Sequence, residues 1–119
     1  MIKISDILQT ADTITKINML TSKSDYLSAE LNDFTHKYAN MINKLIDFNT
    51  LINDVKQKNS VSELTHTQIL LLANTITEHD ELLENVLKFE DEYLTMIREY
   101  ANVLNEKYDL ELKLKEVGI

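Results

Sequence analysis

From Met1 to Val117 the chain contains neither glycine nor proline; proline is absent altogether and the single glycine is Gly118. Most ways of reversing a chain over a few residues depend on these two. Glycine supplies the positive φ of tight hairpin turns, and proline presets the first corner of the common ones. A chain of 119 residues with no proline and a single glycine at its second-last position is poorly suited to hairpin-linked strands and well suited to a few long helices. The length is that of one domain.

The spacing of apolar residues says the same. With Leu31 at heptad position a, the a series reads Leu31, Tyr38, Leu45, Ile52 and the d series Leu27, Phe34, Met41, Phe48, Val55. All nine are apolar or aromatic, and residues so spaced share one face of a helix that must be buried against another helix. Backwards, the register meets Leu20 at d and Ile17 at a, with Ser24 interrupting at a. A second pattern runs from about Ile69 to Val117. Its d positions are Leu82, Phe89, Met96, Val103, Leu110 and Val117. Its a positions are Leu72, His79, Val86, Tyr93, Tyr100, Lys107 and Leu114. Here the e positions Ile69, Ile76, Leu83, Ile97 and Leu104 are apolar as well. Three apolar columns make a stripe wider than a two-stranded seam requires, so this helix is expected to touch more than one neighbour.

Between the two patterns, Ser60 with Glu63 and Thr65 with Gln68 each have the spacing of a capping box. Lys56 and Lys58 precede them, where a helix C-terminus favours cations, and Asn59 is expected to end the turn. At the other end, Ile4, Ile7, Leu8, Ala11, Ile14 and Ile17 also have helical spacing, and Ser24 in "TSKSDYL" is a good N-cap for a fresh helix. The fold expected is all-α, one domain over residues 1–119 built as a long antiparallel helical hairpin or coiled-coil-like bundle. Helices span about 5–22, 25–57 and 63–116, with the turn at about 58–62. The first helix either continues into the next or folds back as a third. At 1.5 Å per residue the 63–116 arm is roughly 80 Å long and the 25–57 arm roughly 50 Å, so the two match only if residues 5–22 extend the shorter one.

The formal net charge of −8 is concentrated. Residues 78–92 hold Glu78, Asp80, Glu81, Glu84, Glu90, Asp91 and Glu92 against Lys88 alone. Phosphate binding needs clustered Lys or Arg, and no cluster exists, so nucleic acid is not expected as a partner. The longest apolar run, Ile69 to Ala73, is far too short for a bilayer. Asp6 and Asp12 interrupt what a signal peptide would keep apolar. Without cysteine there is no disulfide framework. The expectation is a cytoplasmic protein without membrane association. Richness in Ile, Asn and Lys suggests an AT-rich genome, such as that of a low-GC bacterium or its phage.

Few residues carry a chemical signature. Glu63-x-x-His66 and Asp33-x-x-His36 have the spacing of the acid-x-x-His elements in di-metal bundles. In a hairpin folded near 59, however, the two histidines lie roughly 20 Å or more apart along the axis, and His36 falls at an outward f position. No phosphate-binding loop, no cysteine and no converging Ser, His and acid set are present. No catalytic residue, metal or cofactor is therefore expected. His79, at a, is a candidate pH-sensitive seam position, and Lys107, at a, either fixes register or reaches out of the seam.

What remains is association. The first reading is a self-associating scaffold, adaptor or assembly factor. Its contact residues are Leu31, Tyr38, Leu45 and Ile52 on one arm and Val86, Tyr93, Tyr100 and Val103 on the other. The second is a small acidic inhibitor or chaperone, of phage origin or otherwise, that docks the 78–92 face on a basic partner protein.

Overall fold

In a computed structural model that describes residues 1–58 and 60–119, the chain forms two long helices. Helix α1 runs Ile4–Lys56 and helix α2 runs His66–Glu116; a 3-10 turn at Val61–Glu63 lies between them, and the described residues include no strand. The helices pack against each other as a hairpin.

Helix α1 does not break at residues 21–27. Ser24, the candidate cap, is 6 % exposed, and its hydroxyl donates to the Thr21 carbonyl at 2.9 Å; Thr21 donates in the same way to Ile17 at 2.8 Å. A hydroxyl satisfied by its own helix can sit in an apolar seam at little cost. With no Gly or Pro nearby, nothing stops the helix. The fold-back alternative is therefore not the one adopted, and the heptad phase set at Leu31 carries through to the first turns. That phase turns Thr10, Thr13 and Ile17 toward α2 and leaves Ile4, Ile7, Leu8 and Ile14 exposed.

Of the two capping boxes, the second one closes. The Thr65 N–H donates to the Gln68 side-chain oxygen at 2.9 Å, and the Gln68 N–H donates to the Thr65 hydroxyl at 3.1 Å. The Ser60 hydroxyl instead pairs with that of Ser62, and Ser60 makes no side-chain cap. Helix α2 accordingly starts at His66, a turn later than the Ser60 box would place it. Asn59, expected to end the turn, lies outside the described residues. At the far end the Ile119 N–H reaches the Leu114 carbonyl at 3.0 Å and the Gly118 N–H reaches that of Lys115 at 3.1 Å, with Gly118 at φ 83°. This is a Schellman cap, and the one glycine occupies the one left-handed position it requires.

The helices pair over two compact units, residues 1–33 with 93–119 and residues 34–92. In the first, Leu27 and Val103 are buried among half-buried Leu20, Leu31, Tyr100 and Leu110, and Lys23 pairs with Glu99 at 3.4 Å along one edge. In the second, Leu45 and Val86 are buried; Phe34 stacks on Phe89 with ring centroids 4.7 Å apart, and the Tyr38 ring lies 6.3 Å from Phe89. Thr75, buried at d, returns its hydroxyl to Leu71 at 2.9 Å.

Candidate interaction surface

Every a and d position from Thr10 to Val55 and from Leu72 to Leu114 is buried or half-buried, as an antiparallel seam requires. The eight residues read as association contacts all lie on it. Leu31, Tyr93, Tyr100 and Val103 line it in the first unit; Tyr38, Leu45, Ile52 and Val86 line it in the second. Their first task is to hold one arm of the chain to the other.

The third column is left over. In residues 34–92 the α2 e positions Ile69, Ile76 and Leu83 are 36 to 42 % exposed, and Leu87, at the neighbouring b position, is 58 % exposed. In residues 93–119, Ile97 and Leu104 at e and Leu94 at b are exposed in the same way. In an antiparallel pair the e edges of the two helices lie on one side and the g edges on the other. The g side of the 34–92 unit carries Lys37 and Lys44 on α1 and Glu78 and Glu92 on α2, with exposed Leu51 and Leu71 only toward the turn end. Its e side has apolar Ile42 and Ile46 on α1, Ile46 being 55 % exposed, next to Ile76, Leu83 and Leu87 on α2. The unit is two-faced.

Six of the seven residues of the acidic stretch are exposed, and Glu90 is half-buried. They do not form one face: Asp80, Glu81, Glu84 and Asp91 point outward at b, c and f, whereas Glu78 and Glu92 follow the g edge. Glu90, at e, accepts a 2.7 Å hydrogen bond from the Tyr38 hydroxyl. That bond, assisted by partial burial and by the carboxylate charge, holds the Tyr38 hydroxyl above the usual phenol range. On α1, Glu30 raises Tyr26 in the same sense, chiefly through its charge.

The single residues with possible chemistry are dispersed. His66 opens α2 and Glu63 ends the 3-10 turn; both are exposed, as is His36 on α1. Among the described residues no three His, Asp or Glu side chains are grouped to hold a metal ion. His79 is half-buried at its a position with Nδ1 3.2 Å from the Asp80 carboxylate. Lys107 leaves its a position for the edge, where its ammonium lies 3.9 Å from Glu111, as a snorkelling side chain does. A shallow depression lined by Ile7, Ile14, Leu114, Val117 and Ile119 lies near the chain ends. No helix among the described residues is long and apolar enough to cross a membrane.

No protein-family model, curated protein or solved structure matches this chain. Its own surface is what speaks to function.

Proposed function

We propose that this chain is a non-enzymatic interaction module that works by associating with itself through apolar helix faces, as a scaffold, adaptor or assembly factor. One observation supports this reading above the others. The chain exposes 9203 Å², whereas a compact monomer of 13.8 kDa exposes about 6,600 Å². The excess of about 2,600 Å² is far more than the ~800 Å² per partner that a standard protein interface covers. Among the described residues four apolar side chains are buried, while 24 large ones are exposed. A soluble chain with this much uncovered apolar surface is stabilised by a second copy.

The test is solution mass by light scattering on a size-exclusion column, across a concentration series and at low and half-molar salt. A dimer or tetramer that persists at both salts is expected, because burial of apolar surface does not depend on ionic attraction. A monomer at every concentration would sink the reading. A second reading is favoured by the six exposed carboxylates between residues 78 and 92, namely docking of this acidic stretch on a basic partner protein. Such a complex weakens steeply with salt and is lost on charge reversal at Glu81 and Glu92, exposed positions away from the apolar e column, changes that leave an apolar self-association intact.

A further inference from the structure

We infer that the second copy sits on the e side of the 34–92 unit, related by a two-fold axis parallel to the helices, so that α2 of each copy lies over α1 of the other. This rests on the proposed self-association and specifies its face and geometry. The position follows from the angular spacing of the heptad. The seam at a and d and the stripe at e and b lie about a quarter-turn apart around α2, the angle between the two neighbours of a helix in a four-helix bundle. The seam is filled by α1 and the stripe is uncovered.

Charge then selects the arrangement. Two layers stacked face to face admit two isologous placements. An axis perpendicular to the helices puts α2 on α2 and opposes the acid-only rim of Asp80, Glu84 and Asp91 to its own copy. An axis parallel to the helices puts α2 on α1, whose e, b and f positions from 35 to 53 carry no acidic or lysine side chain; they are Thr, Asn, Ala, Ile and His36. Like charges opposed at close range cost affinity, whereas amide and hydroxyl donors suit carboxylates. A parallel axis also preserves height along the molecule. The Phe34–Phe89 and Tyr38–Phe89 stacks set the height at which α1 and α2 residues meet. At that height Ile46 of one copy faces Leu83 of the other, Asn43 faces Glu84 and His36 faces Asp91. Every helix then runs antiparallel to both its neighbours.

Because the chain has no native cysteine, introduced ones report cleanly. Asn43→Cys chains and Glu84→Cys chains are mixed at a concentration where the wild-type mass is that of the oligomer, then oxidised. The expected product is the mixed 43–84 disulfide, with little of either homodimer and none between Lys44→Cys chains on the charged g side. In parallel, Leu83→Glu, at a position 42 % exposed in the hairpin, should keep its helicity and weaken association ten- to a hundredfold, as loss of the exposed part of two leucines, one from each copy, predicts. If the wild type associates but only Glu84→Cys homodimers form, α2 lies on α2 and this geometry is wrong while self-association stands. Association without any of these crosslinks, and unaffected by Leu83→Glu, would place the interface elsewhere. A wild type that stays monomeric overturns both the geometry and the reading beneath it, and leaves the face to a different protein.

Discussion

Gly118 and Tyr38 show how much one position settles. Gly118 at φ 83° has nothing within 4 Å of where a Cβ would stand, so a side chain there meets no neighbour and any cost is purely conformational. Gly118→Ala should therefore lower stability by about 1 kcal/mol, read as a small fall in melting temperature with unchanged helicity. Tyr38 carries a pH signature. Its hydroxyl is held above the usual phenol range in the folded chain by Glu90. A group raised on folding contributes stability that is complete below its unfolded pKa of about 10 and is lost as pH rises through the folded value. Thermal melts from pH 8 to 12 should accordingly show an alkaline loss of stability that is smaller in Tyr38→Phe. An unchanged alkaline limb in the variant would mean that the hydrogen bond to Glu90 does not hold the phenol.

At the scale of the element, the continuity of α1 makes the sharpest prediction. Were Ser24 the cap of a fresh helix, Asp25 would be its first residue, where proline is well tolerated. In the unbroken helix Asp25 is interior, and proline there removes a backbone hydrogen bond and clashes with the preceding turn. Asp25→Pro should thus cost about 3 kcal/mol or more, although the Asp25 side chain is exposed; an undiminished melting temperature would restore the broken-helix reading. The same segment shows what the sequence could and could not reveal. Nine consecutive apolar a and d positions from Leu27 to Val55 leave a helix no choice of face, and the seam follows them. Before Ile17 the apolar residues are out of phase with that seam. Read locally, Ile7, Ile14 and their neighbours define a buried face. In the structure the phase is imposed from Leu31 downstream, and Thr10 and Thr13 face α2 instead. Local pattern was overruled by continuity, a property of the whole helix. The connection was ambiguous for another reason. Two capping boxes five residues apart were equally good on paper. Only geometry distinguishes them, and Thr65→Ala, which breaks the one that forms, should cost about 1 kcal/mol where Ser60→Ala costs less.

For the whole molecule the question is how a chain with four buried apolar side chains among its described residues stays folded. A two-helix seam of this kind buries too little to offset the conformational entropy of ordering 119 residues with much to spare. If the e and b columns find a partner in a second copy, as proposed, folding and association are linked, and mass action makes stability depend on concentration. The wild-type melting temperature should therefore rise steadily as the protein is concentrated a hundredfold, by an amount independent of salt. Leu83→Glu should flatten the dependence without abolishing the helical signal at low temperature. The sequence made the third column legible, because Ile69, Ile76 and Leu83 recur at e as regularly as the seam does at a and d. It left open which column a second chain would take, because an apolar residue at a and one at e read alike until the hairpin closes over the first. A melting temperature that does not move with concentration would show that the seam alone is sufficient. The exposed columns would then serve a protein other than this one.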